Sequence, residues 1–552
     1  MQLTFQAPDA GQGLPAFYAQ YMADFDGVAS FFTYNPWDDA SFSRRAAALE
    51  GRRSAPREQV AAALVEYNRR LGAAPEALTA AEALGRPGAL AVVTGQQAGL
   101  LTGPMFTVFK AVAAISLARR LQELLQRPVV PVFWVASEDH DFEEVRAVHM
   151  VDTRGRLRRL RLPGSSDGRS IGHRPVPRHV DSLLREAAAI MGPRLVHEEV
   201  LQDAAGAAAQ SASLAEWFAR IMSRWLSDLG LVILDPMEPD LRALVRDIYP
   251  TALLRREAVS RELAAAGQRL ERRGFEPGLN LTADHAFLFH YRDGRRTALF
   301  WRDGRLEDRE GTFSLGVGEL SRLLREQPQD FSPNVVTRPM VQDYLLPTVA
   351  QVVGPGELLY LAQMREVYPL FDLEMPVLVP RLHLTLVEPE VSAALERQGM
   401  ALPQVWADPA AAGQRRLADL DPIGIDRVMD DLRRRISQAH GDAMGELAPL
   451  GSGLAEIGRG NLARILKQVD YLQAKAWQHH RRRQRETTAD LRLLEHWLRP
   501  MGQLQERVLT ALPFVARYGR GFFRALLRAP VVRGHQFALV AAHAAPAQAP
   551  KA

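Results

Sequence analysis

The sequence predicts an α/β protein, a Rossmann-type open parallel sheet with connecting insertions, followed by an α-helical coiled-coil arm. Three observations predict it. Short, wholly apolar runs recur between helical patterns, as in strands buried on both faces. Each run leads into a loop rich in glycine or in acidic residues. Beyond about residue 384 the strand pattern gives way to long apolar repeats in steps of three and four.

In chain order, residues 1–80 read as helices: FYAQYMADF, SRRAAALEGRR and the amphipathic REQVAAALVEYNRRLG. ALAVV at 89–93 is a strand running into the glycine-rich TGQQAGLLTGP. Pro104 suits the first turn of the helix that follows, because its missing N–H costs nothing there. Pro128 ends that helix, and VVPVFWVA at 129–136 completes a βαβ unit. A helix, LAEWFARIMSRWLSDL, then precedes the strand GLVILD at 230–235. HAFLFHY, RRTALFW and GTFSLG form a β-meander at about 285–316, with Asp293-Gly294 and Asp303-Gly304 as turns, inserted into the larger sheet. TVAQVVG at 348–354, a Gly-Pro-Gly turn, a helix from about Glu357 and VLVP at 377–380 make another βαβ.

Four regions are therefore expected: a core with its insertions at 1–384, a helical coiled-coil domain at 385–500, a segment folding back on the core at 501–540, and a frayed tail at 541–552. In the helical domain Val428, Leu432 and Ile436 repeat every four residues, while Leu462, Ile465, Val469, Leu472 and Ala476 alternate steps of three and four. The pattern predicts a long helix near 454–498 against an antiparallel helix from 385–440.

Composition narrows the chemistry. With no cysteine among 552 residues, disulfides, thiolate metal sites and thiol nucleophiles are excluded. No apolar run reaches the length of a membrane span, and the N-terminus lacks a basic start and apolar stretch, so a cytoplasmic protein with no membrane partner is expected. A net charge of +4 is too small to argue for nucleic acid. The basic run 479–485 reads as the solvated face of a helix. Lysine is used four times only, at Lys110, Lys467, Lys475 and Lys551, against arginine almost everywhere else. Lys110 thus marks a place wanting a compact point charge, unless chance put it there.

Four constellations could carry chemistry, all at strand ends or adjoining loops. Thr94, Gly95, Gln96 and Gln97, with Lys110 two turns into the next helix, stand where backbone N–H groups favour an anion. The spacing is neither a P-loop nor a dinucleotide fingerprint, and the plainer reading is a tight turn. Ser137, Glu138, Asp139, His140 and Asp141 follow the buried strand, where open sheets bind ligands. Acids there could hold an ammonium or a divalent cation, and His140 could act as general base; an acidic helix start is the alternative. No metal-ligand spacing is present. Asn334, Thr337 and Arg338 offer polar groups and a fork for a carboxylate or phosphate. Gly354, Gly356 and Glu357, with Tyr360 one turn on, form a second anion cradle.

VVTGQQAGLLTGPMFTVFKA, PVFWVASEDHDFEEV and FSPNVVTRPMVQDYLLPTVAQVVGPGELLYLAQ resemble the bacillithiol biosynthesis cysteine-adding enzyme family. The likeness runs in order from about residue 30 to near the C-terminus, with RLHLTLVEP and LQERV as later blocks, and lapses after His535. The resemblance implies a Rossmann-type core, a coiled-coil arm making a homodimer, and addition of L-cysteine to the amine of glucosaminyl-malate. Its core is similar to class I aminoacyl-tRNA synthetases, although no HIGH or KMSKS signature stands in this chain.

The chemistry of an amide bond requires an activated carboxylate, most simply by ATP, so ATP or ADP is the expected nucleotide and Mg2+ a candidate companion. On this hypothesis the 95–97 loop and the 354–356 turn take phosphate or carboxylate, and Lys110 and Arg338 stabilise developing negative charge. Glu138, Asp139 or Asp141 hold an ammonium or magnesium, and His140 deprotonates the sugar amine. Competing readings are a nucleotide-dependent ligase or nucleotidyltransferase on another carboxylic acid, and a coiled-coil assembly or nucleic-acid-binding protein.

Overall fold

The structure is a computed structural model that describes residues 1–6, 13–309, 311–530 and 533–541. Most of the tail expected to fray lies outside the described residues. The chain divides into two compact units: Met1–Thr153 with Leu157–Leu386 and the segment from Gln503, and Arg154–Arg156 with Val387–Gly502.

The first unit is built on five parallel strands: Leu90–Gln96, Val129–Val135, Val232–Leu234, Thr348–Val353 and Val377–Pro380, called here the first to fifth core strands. Across the sheet they lie in the order fifth, fourth, first, second, third. The chain thus winds one way from the first strand and then the other, so the order reverses between the first and fourth strands. The continuous apolar runs have a physical reason. Leu90 and Val92 point into a layer with Phe42, Ala114, Leu117 and Leu121, while Ala91 and Val93 point into the opposite layer with Val60, Leu64, Val336 and Met340. With both faces covered, neither alternate position can be polar.

The helix after the glycine loop spans Phe106–Leu125 and begins at Phe106, so Pro104 precedes its first turn. Pro104 instead forms a β-bridge with Thr510. The first core strand extends through Gln96, which places Thr94 and Gly95 within the sheet and not in the loop.

The meander forms a sheet of its own, antiparallel and five-stranded, whose outer member Phe331–Pro333 pairs with His285–Arg292. Both predicted turns take left-handed conformations at Asp293, Gly294, Asp303 and Gly304, as two-residue hairpins demand. Arg305–Glu307 is a further short strand. A shift in register between His285 and Phe289 coincides with φ +59° at Phe287, a backbone region bulky residues rarely enter.

Strand structure does not end at 384. Leu384–Val387 joins Gln536–Val540 and Leu3–Gln6 in a three-stranded sheet. These strands are too short for periodicity to mark. The segment 505–519 contributes two short helices, Gln505–Val508 and Leu512–Tyr518, to the first unit.

In the second unit the long helix is interrupted. Gly453–Arg483 stops at Gln484, whose φ and ψ of −93° and 55° are not helical, and Arg485–Leu498 resumes. Its antiparallel neighbour is Ile425–Leu447, preceded by separate helices at Pro389–Gln398, Leu402–Ala407 and Pro409–Asp419. Gly458 seats Met444, whose Cε would lie 2.6 Å from a Cβ there. Val469 is buried, but Leu472, Tyr471 and Ile457 stay largely exposed. Arg481, Arg482 and Arg483 are exposed in the last turn, where positive charge complements the helix dipole. No helix among the described residues is long and apolar enough to cross a membrane.

Candidate active site

In sheets of this kind the ligand crevice lies outside the carboxyl ends of the strands where the order reverses, which here are the first and fourth. Thr94 ties the two strands together, its Oγ1 donating to the Val352 carbonyl at 3.0 Å. Gly95 is pressed against the second strand, and a Cβ there would stand 2.7 Å from the Trp134 carbonyl oxygen. Its own carbonyl accepts from Lys110 Nζ at 2.8 Å, which also donates to Gln96 Oε1 at 2.9 Å and to Glu357. All three ammonium protons are therefore committed to protein acceptors. Burial lowers the Lys110 pKa, and the Glu357 carboxylate works against that.

Glu357 lies in the first turn of the helix Pro355–Ala362 and accepts the Gly354 N–H at 2.9 Å. The cradle foreseen for an external anion at Gly354 and Gly356 thus holds the protein's own carboxylate. Arg338 approaches the same group and hydrogen-bonds Tyr360; burial opposes its charge, but Tyr360 and Glu357 more than offset that. It also donates to Gln342 Oε1 at 3.1 Å and lies 5.9 Å from the Trp134 ring centre.

Asn334 and Thr337 fix the start of the helix that carries this arginine, the Asn334 carbonyl accepting the Arg338 N–H at 2.9 Å. Asn334 Oδ1 accepts the N–H groups of Val336 and Thr337 at 2.9 and 3.0 Å, and Thr337 Oγ1 donates to the Phe287 carbonyl at 2.7 Å. The bulge at Phe287 thereby anchors the helix Thr337–Leu345 that carries Arg338.

The two consecutive glutamines diverge. Gln96 turns to Lys110, whereas Gln97 Nε2 donates to Asp139 Oδ2 at 2.6 Å in the acidic turn after the second strand. Asp139 Oδ1 accepts the N–H groups of His140 and Asp141 at 2.7 and 3.2 Å, and Asp141 caps the short helix Phe142–Val145. Glu138 is buried in an ion pair with Arg242 at 2.6 Å, so its charge is already balanced. Ser137 donates to Asp235 at the end of the third strand, where burial pushes the carboxyl up to about 6. His140 is half-buried. Its Nδ1 has no hydrogen-bond partner among the described residues and stands 3.9 Å from Asp139 Oδ1, too far for a hydrogen bond. Burial first, then the Arg296 charge, hold its pKa below that of free histidine, against Asp139 and Asp141.

The sequence reading missed Asp235, Arg242, Arg296 and Arg381. Asp235 ends the predicted strand GLVILD, so the strand-end rule that found Glu138 would have found it too. Arg381, just after the fifth strand, is a crevice neighbour: its Nε would lie 3.6 Å from a Cβ on Gly354. It pairs with the buried Glu506 at 2.6 Å. Glu506 also accepts from His383 at 2.9 Å and from the Leu384 N–H at 2.9 Å. Burial would raise that carboxyl, but Arg381 and His383 hold it far below the usual range. His383, Glu506 and His535 lie close enough to hold a metal, yet the donors of Glu506 and His383 are spent on this network and on Tyr18.

Comparison with known proteins decides the family. Residues 3–382 match the model described as bacillithiol biosynthesis BshC, N-terminal Rossmann-like domain, and residues 384–542 match the BshC C-terminal coiled-coil domain. The chain belongs to the BshC family. Relatives named "Putative cysteine ligase BshC" span nearly its whole length. That of Symbiobacterium thermophilum is 38% identical, covering 92% of this chain and 94% of its own. That of Heliobacterium modesticaldum is 36% identical over 94% and 96%, and that of Desulforamulus reducens 33% identical over 92% and 95%. The BshC assignment agrees with the Rossmann-type sheet and the long paired helices described above.

Proposed function

We propose that this member of the BshC family is a ligase that joins the carboxyl of L-cysteine to the amine of glucosaminyl-malate, giving bacillithiol. The observation that carries the reading is the buried Lys110–Glu357 pair at the strand-order reversal, flanked by Arg338 and Tyr360. An amino acid is a zwitterion. Its ammonium complements Glu357 and its carboxylate complements Lys110 and Arg338, so cysteine can take over the bonds that the pair makes with itself.

Amide formation from a carboxylate requires a leaving group, which ATP supplies: the cysteine carboxylate attacks a phosphorus atom and pyrophosphate or ADP departs. The amine then attacks the acyl carbon, the acyl–oxygen bond breaks, and AMP or phosphate leaves. The amine proton passes to neutral His140, whose side chain is 42% exposed. Asp141 and Glu144, both exposed beside Asp139, are the carboxylates suited to a nucleotide's magnesium, because Glu138 is neutralised by Arg242. The protein acts in the cytoplasm as a homodimer through its helical arm, where Ile457, Tyr471 and Leu472 are exposed.

The test is an omission assay. Purified protein with glucosaminyl-malate, cysteine, ATP and magnesium is expected to yield bacillithiol by mass spectrometry, and none when any one is left out. Folded protein that yields no product from the full mixture would overturn the reading.

A further inference from the structure

A cleft of about 920 Å³ lies between His140 and the antiparallel sheet, outside the Lys110 crevice. Arg169, Arg292, Arg295, Arg296 and Arg309 line it. Of its three aspartates, Asp308 is occupied by Thr312, and Asp167 is paired with Arg174 and Arg169. Positive charge is therefore in excess there. Neither Arg292 nor Arg295 makes a side-chain hydrogen bond or ion pair among the described residues.

The cleft is built, not a chance grouping of mobile side chains. Arg169 and Arg295 are bridged through their backbones, and the Arg296 N–H donates to the Gly168 carbonyl at 2.9 Å. Phe289 forms a wall, with the Arg296 guanidinium 3.8 Å from its ring centre. Arg296 is itself fixed by Ser332 Oγ at 3.0 Å and the Pro333 carbonyl at 2.6 Å. The His140 ring lies 6.1 Å from the same phenyl ring.

We propose that this cleft binds the dicarboxylate end of the amine acceptor, with Arg169, Arg295 and Arg309 as carboxylate ligands, and so turns the acceptor's amine toward His140. The assignment rests on the function proposed above, whose acceptor carries two carboxylates at one end and its amine at the other. Guanidinium forks match carboxylates in pairs, and the aromatic wall suits the sugar between the two ends.

Calorimetric titration of the full chain with malate tests it, comparing wild type, the triple variant R169Q/R295Q/R309Q and the control R325Q. Arg325 is exposed on a neighbouring helix outside the cleft. Malate affinity is expected to fall at least tenfold in the triple variant and to stay within twofold in the control, with the circular dichroism spectrum unchanged. In turnover, KM for glucosaminyl-malate should rise at least tenfold while KM for cysteine moves less than twofold. Unchanged malate affinity overturns the assignment, as does a cleft that binds ADP more tightly than malate through the same arginines. The two readings fail separately. Bacillithiol formation with an unaltered acceptor KM in the triple variant sinks the cleft and keeps the ligase. Malate binding lost in the triple variant, without bacillithiol from any mixture, keeps the cleft as a dicarboxylate site and sinks the ligase.

Discussion

Lys110 and Glu357, 247 residues apart in the chain, form an ion pair at the point where the strand order reverses. The lysine side chain is 3% exposed and the glutamate 21%, so solvent reaches the pair on its acidic side. The pair holds the ends of the first and fourth core strands in register, because Lys110 grips Gly95 and Gln96 while Glu357 grips Gly354.

Removing one partner leaves a buried charge without a counter-charge, which costs about 3–5 kcal/mol. E357Q, which leaves the buried Lys110 unpaired, is expected within that range, K110M near its lower end because the remaining Glu357 is partly exposed, and the double variant well short of the sum. Urea denaturation of the four proteins measures this. Strictly additive losses would show that the two side chains do not act as a pair.

His140 should set the acid limb of the pH–rate profile. Its lowered pKa keeps the imidazole neutral across the neutral range, so activity is lost only as pH falls below the range of free histidine and the base protonates. H140A should lower kcat by about 10²- to 10⁴-fold without a change in melting temperature. A variant with the acid limb in its original place would take His140 out of the proton transfer.

Asp235 links stability to pH in the opposite sense from an ion-paired aspartate, whose pKa folding lowers. Its folded-state pKa is raised to about 6 from 3.8, so its contribution is complete below about pH 4 and is lost as pH rises through 6. D235N keeps an acceptor for Ser137 and for the Met237 N–H. It should gain on wild type by on the order of 2 kcal/mol between pH 4 and pH 7.5. Urea midpoints at both pH values check this, and a difference that does not vary with pH would count against a buried, protonatable Asp235.

Gly95→Ala tests the close approach of the first and second strands. The new methyl would meet a backbone oxygen at 2.7 Å, so the strands must part, at about 1–3 kcal/mol. The adjacent Lys110 contacts should loosen with them, raising KM for cysteine. A variant as stable as wild type would mean that the strand ends are free to move.

The acidic turn was legible because Ser137 to Asp141 follow directly on an apolar run whose position announces a strand end. Lys110 stood out through the scarcity of lysine, and Gly95, Gln96 and Glu357 stood out in two separate constellations, but their joining on one ammonium did not, since they meet only when the first and fourth strands become neighbours. Arg242 and Arg296 escaped notice because arginine is everywhere in this sequence, and burial against Glu138 or Phe289 leaves no periodic trace.

Local sequence determined what depends on neighbours along the chain. The apolar strands, the hairpin turns at Asp293-Gly294 and Asp303-Gly304, and the long amphipathic helices follow from side-chain period and backbone preference. Tertiary structure decided the partners. It chose the strand order, closed the three-stranded sheet from both ends of the chain, and filled the predicted anion cradle with Glu357. The reason is physical: charge and burial act through space, and hundreds of residues separate the groups that finally meet.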